Sequence, residues 1–153
     1  MKQSKNIKLS LLTATFLSAV FSLSLITTAT LSADETVKSP ELKVIMQVLL
    51  ADTKQITEGI FIEDFEMIKK AANNIATHPE APAETKMKLM KAFGKEMKMF
   101  KGNDMKVHQA AVEIAKAAET KDIEAIMSQF HQLVDGCQSC HSKFKKRAQD
   151  ILK

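Results

Sequence analysis

The chain has 153 residues, room for one domain, with 22 basic and 18 acidic side chains giving a formal charge of +4. Three of the basic residues, Lys2, Lys5 and Lys8, stand in an N-terminal segment without acids, so residues 34–153 carry only +1. The basic balance therefore belongs mostly to that segment, and it gives no support to nucleic-acid binding.

The three lysines are followed by an uncharged stretch, Leu9 to Leu31, dominated by Leu11, Leu12, Phe16, Leu17, Val20, Phe21, Leu23, Leu25 and Ile26. Ser32-Ala33 and the first acids, Asp34 and Glu35, come next. Charged, apolar and small regions in that order read as a secretory signal over residues 1–33, cleaved after Ala33, with Ala29 as the second choice. About 20 apolar residues can also span a bilayer, so the chain would be membrane-bound if the segment stayed on as an anchor. Ser18, Ser22, Ser24, Thr27 and Thr28 weaken that reading. The domain at 34–153 is expected outside the cytoplasm, in the periplasm.

This domain reads as all helix: Gly and Pro are scarce, Trp and Tyr are absent, and no stretch alternates at period two for long. Ser39-Pro40-Glu41 is a helix start, with a cap, a first-turn proline and an acid. Leu42, Ile45, Met46, Leu49, Thr53 and Ile56 follow at helical spacing, and Gly59 is expected to end the run. A second helix carries Phe61, Phe65, Ile68, Ala72 and Ile75 on one face and stops before His78-Pro79, because a residue preceding proline is pushed out of the helical region.

Pro79 to Pro82 is a loop. Residues 83–100 suggest a short irregular helix in a crossover, with Met87, Met90, Phe93, Met97 and Phe100 inward and Gly94 interrupting. Gly102-Asn103-Asp104 is expected to restart the chain into a third main helix with Val107, Ala111, Ile114 and Ala118 inward. The last helix begins near Thr120 to Asp122. Its stripe is long: Ile123, Ile126, Met127, Phe130, Val134, Cys137, Cys140, His141, Phe144, Ala148 and Ile151. Four amphipathic helices can bury one another's faces without a sheet. The expected fold is an antiparallel four-helix bundle with a short extra helix between the second and third main helices.

The chemistry concentrates in Cys137-Gln138-Ser139-Cys140-His141. On a helix the cysteines lie one turn apart on one face, placed to reach the two vinyl groups of one haem as thioethers. His141 follows directly, positioned as the proximal axial ligand to the iron. The motif reads as c-type haem attachment, with one covalently bound haem c as the cofactor. A structural zinc site needs four ligands, normally from two such pairs, and the chain has no other cysteine. A thioredoxin-like pair belongs beside a strand–helix–strand unit, which is missing. A plain disulfide would leave His141 a coincidence.

The second axial ligand decides the function, since a protein can supply Met, supply His or leave the position open. Met46, in the middle of the inward face of the first helix, is the candidate; the competing reading is that it only fills core. His131 and His108 are the alternatives. His131 precedes His141 by ten residues, about 15 Å along one helix axis, too far to reach the opposite haem face. His108 at a face edge and His78 in a loop read as surface or structural histidines. Lys143, Lys145, Lys146 and Arg147 follow the motif, either as favourable charge at a helix C-terminus or as a docking patch for an acidic redox partner.

The pattern resembles the class II cytochromes c, the cytochrome c prime superfamily. The resemblance rests on the C-terminal haem motif continued by His141-Ser142-Lys143-Phe144-Lys145, with Gly59 between the first two helices and Ile75-Ala76-Thr77-His78-Pro79 ending the second. It implies Cys137 and Cys140 as thioether anchors and His141 as proximal ligand. High-spin members have an apolar distal position and iron open to nitric oxide or carbon monoxide; in low-spin members a methionine of the first helix binds the iron. Counted back from Gly59, Lys43 falls at the usual distal place, and Met46 lies about one turn nearer the loop. That spacing instead resembles a soluble b-type cytochrome with a related bundle. The resemblance also admits a homodimer through the first two helices.

The expected function is that of a periplasmic one-electron carrier with His141 and Met46 as axial ligands, serving redox partner proteins and having no enzymatic activity of its own. The competing function is a five-coordinate cytochrome c prime that binds nitric oxide or carbon monoxide at an open distal site.

Overall fold

A computed structural model describes residues 41–153; the leader at 1–33 and the Ser39-Pro40 start lie outside the described residues. Five α-helices follow in order: α1 (Leu42–Ile62), α2 (Phe65–Ala76), α3 (Ala83–Phe93), α4 (Met97–Glu119) and α5 (Ile123–Ile151), with a 3-10 turn at Gly94–Glu96 between α3 and α4. No strand occurs among the described residues. None of their helices is long and apolar enough to cross a membrane.

Local chemistry sets the ends. Asp64 caps α2 by accepting a hydrogen bond from the Met67 N–H at 2.9 Å, and Asp122 does the same for α5 through Ala125 N–H at 2.9 Å. Each satisfies one of the orphan donors of a first helical turn. Glu63 and Lys121 take left-handed conformations, with φ of 54° and 56°, and so reverse the chain between α1 and α2 and between α4 and α5.

Long-range pairs give the directions. Ala76 of α2 meets His108 of α4, while Lys69 meets Glu119, so α2 and α4 run antiparallel. Short connections make α1–α2 and α4–α5 antiparallel as well. The fold is the antiparallel four-helix bundle, with α3 as the short helix of the crossover.

Two apolar clusters hold it. The main one joins Ile56 of α1, Ile68, Ala71, Ala72 and Ile75 of α2, Val107 to Ala118 of α4, and Ile126 and Leu133 of α5. Burying a side chain such as Ile68 or Leu133 stabilises by about 1.5–3 kcal/mol relative to leaving it in water. The second cluster joins Leu89 and Phe93 of α3 to Phe144 and Ala148 of α5. There the rings of Phe93, Phe100 and Phe144 lie 4.9–5.5 Å apart in tilted and edge-on pairs, within the favoured range for aromatic contacts.

Several local expectations are corrected. Gly59 does not end the first helix; α1 continues to Ile62. Its glycine allows close approach instead, since a Cβ there would lie 2.7 Å from Ile68 Cγ1 and 3.0 Å from the Asp64 carbonyl oxygen. Phe61 belongs to α1 and is 83% exposed rather than facing the core with α2. Gly102-Asn103-Asp104 restarts nothing: α4 runs unbroken from Met97, because a helix packed along its length tolerates a glycine costing about 1 kcal/mol. Met87, Met90, Met127 and Val134 are exposed, and the buried positions on α5 missing from the expected stripe are Leu133 and Gly136.

Candidate functional site

Cys137, Cys140 and His141 stand in the second half of α5, where residues three and four apart share a face. Both cysteines are free thiols and half-buried. They belong to different clusters: Cys137 packs on the main core, Cys140 on the aromatic one. His141 is exposed and has no hydrogen bond or ion pair with a described residue.

Burial pushes the Cys137 thiol up from its ordinary value. Cys140 is pushed up to about 11, chiefly by burial, then by the charges of Asp104 and Cys137. Both are therefore neutral thiols near pH 7. Thiol–disulfide exchange enzymes need the opposite, a depressed pKa and a standing thiolate, so a thioredoxin-like role finds no support in this geometry.

α1 contributes to both clusters. Leu42 packs into the aromatic cluster with Cys140, and Leu49 packs on the main core with Cys137. Met46 falls between Leu42 and Leu49 on the same inward stripe and is half-buried, beside Ile45, which is 3% exposed. Two thiols one turn apart on α5, followed by an imidazole without a partner among the described residues, fit a covalently held haem.

The other histidines are placed differently. His131 is exposed. His108 lies with its Nδ1 2.9 Å from the Ala76 carbonyl, a tie between α4 and the end of α2. His78, in the loop after α2, stacks against it with ring centroids 4.5 Å apart. Asp104 faces both rings. Sequence reasoning missed this group; only the four-residue spacing of Asp104 and His108 was visible, and His78 joins them through the fold.

The basic run after the motif is largely paired. Glu96 accepts from Arg147 at 2.7 Å and binds Lys143 at 3.2 Å, while Lys146 pairs with Asp150 at 2.7 Å. The Arg147 guanidinium also lies 4.7 Å from the Phe93 ring centre, a cation–π distance. Of the four, Lys145 is left without an ion pair among the described residues.

The family model described as cytochrome C' matches residues 39–145. Among curated proteins, a protein named cytochrome c' from Rhodospirillum rubrum is 38% identical over 71 residues, 46% of this chain and 48% of that one. The chain thus matches about half the length of that relative. No solved structure matches.

Proposed function

The chain belongs to the cytochrome c' family and is a haem c cytochrome; from that premise we propose that it is an exported one-electron carrier, with Cys137 and Cys140 as thioether anchors and His141 and Met46 as axial ligands. The haem, when bound, supplies a one-electron ferric–ferrous couple. The cysteines hold it to one face of α5, and His141, adjacent to Cys140, presents its imidazole from the same helix. A soft methionine sulfur favours ferrous iron relative to a second imidazole, so Met46 would raise the reduction potential. The apolar side chains beside both cysteines keep water from that face.

The observation that carries this reading is the position of Met46 between Leu42, which shares a cluster with Cys140, and Leu49, which shares one with Cys137. On this reading Met46 would lie across the haem from the anchoring pair. The reading includes no catalysis. It includes removal of residues 1–33 during export to the periplasm. Docking of an acidic redox partner would rest on Lys145, and a homodimer on the exposed apolar face of α1, where Val44 and Val48 are 45% and 49% exposed.

A second reading is favoured by the family match itself: a five-coordinate haem that takes up nitric oxide or carbon monoxide. Met46 belongs to neither apolar cluster, so in that case it would serve as the wall of an open distal space. Optical spectra of the purified protein, oxidised and reduced, with and without carbon monoxide, separate the two. A low-spin spectrum with the weak near-infrared methionine–iron band supports the carrier. A high-spin spectrum that shifts readily with carbon monoxide overturns Met46 ligation and leaves the gas-binding reading.

A further inference from the structure

His78 and His108 each have one ring nitrogen committed to the backbone. Nδ1 of His108 lies 2.9 Å from the Ala76 carbonyl oxygen, and Nδ1 of His78 lies 3.0 Å from that of Pro79. A carbonyl oxygen can only accept, so both Nδ1 atoms carry the proton. In a neutral imidazole that leaves both Nε2 atoms as lone-pair donors. Second-shell carbonyls fix metal-binding histidines in the same way, orienting the ring and setting the tautomer.

Both Nε2 atoms converge on one carboxylate. His78 Nε2 is 3.8 Å from Asp104 Oδ1 and His108 Nε2 is 3.8 Å from Asp104 Oδ2, too far for hydrogen bonds. The three ligand atoms lie within 4.8 Å of one another. Two ligands each about 2.0–2.1 Å from a tetrahedral ion stand about 3.3 Å apart, so a dication between them requires side-chain shifts of only some tenths of an ångström to about one ångström. His78 supplies an independent observation: its side chain is 11% exposed, and its Nε2 is buried with no hydrogen-bond partner among the described residues. A buried orphan nitrogen is costly, and an ion at this point would satisfy it. Asp104, with a side chain 49% exposed, leaves an open path from solvent.

We propose that His78, Asp104 and His108 form a second metal site, separate from the haem, for a borderline transition-metal dication of the zinc type. Two imidazoles and one carboxylate suit zinc, copper or nickel, and water would fill the remaining positions. The ligands come from the loop after α2 and from α4, so a bound ion would pin that loop to α4 beside the Ala76–His108 tie.

The test is calorimetric titration of the haem-loaded protein with Zn2+ at neutral pH, in a buffer without chelators. The native chain should bind one equivalent. Asp104→Asn, conservative at a half-exposed position, should weaken binding by on the order of 10-fold or more, and His108→Ala should abolish it. His131→Ala, altering an exposed histidine on α5, away from the three ligands, should bind like the native chain. The haem spectrum of each variant reports whether it has folded. Failure of the native chain to bind Zn2+, or unchanged binding in a natively folded Asp104→Asn protein, would overturn the site. Loss of binding in His131→Ala alone would do so too.

Discussion

A Cβ on Gly136 would lie 2.8 Å from Cγ2 of Val107, with the Asn103 carbonyl oxygen 3.4 Å away, so these two residues set how closely α4 approaches α5 one position before Cys137. Val107 cannot swing aside easily, because a β-branched side chain on a helix has essentially one χ1 rotamer. Gly136→Ala gains about 1 kcal/mol of helix propensity but incurs an overpacking cost of about 1–3 kcal/mol. We expect net destabilisation of about 1 kcal/mol by urea unfolding of the holo-protein. Adding Val107→Ala should recover part of it; strict additivity of the two changes would show that the contact does not limit the approach.

Asp52 of α1 is 4% exposed. One carboxylate oxygen accepts from Asn74 Nδ2 of α2 at 3.0 Å, while the other has no partner among the described residues. Asn74→Ala removes the one donor and should destabilise by about 1–3 kcal/mol. Replacing both residues by leucine should be close to neutral, since that removes the buried polar group together with its partner. An Asn74→Ala protein as stable as the parent would refute the pairing.

Glu96 titrates below the usual carboxylate range, held there by the Arg147 guanidinium first and by Lys143 second. The unfolded chain therefore binds its proton at higher pH than the folded one. Stability from this group is present above the ordinary carboxylate pKa and is lost as pH falls through the lower folded value. Urea midpoints of the native chain and of Glu96→Gln should separate above that window and converge below it. A constant difference across the acid range would assign the effect to packing of Arg147 instead.

The proposed His141 and Met46 ligation predicts separable spectra. His141→Ala should lose proximal ligation and destabilise the holo-protein. Met46→Ala should keep the haem attached through Cys137 and Cys140 yet turn the ferric spectrum high-spin and admit carbon monoxide. An unchanged low-spin spectrum and potential in Met46→Ala would place the sixth ligand on another residue.

The sequence alone determined the helical class, the four main helices and the haem motif. Helical periodicity and the Cys-x-x-Cys-His spacing are local signals, read within one or two turns. The start of the last helix near Thr120 to Asp122 was legible for the same reason. Tertiary structure decided what depends on residues far apart in the chain. Gly59 looks like a helix stop until Ile68 is brought against it, and Met87, Met90, Met127 and Val134 look like core until the packing leaves them in solvent. Glu96 neutralises Lys143 and Arg147 from about fifty residues away. His78 meets Asp104 and His108 only because α2 and α4 run antiparallel. Such groupings are set by the directions and close approaches of helices, which depend on how whole faces fit and which no single helix encodes.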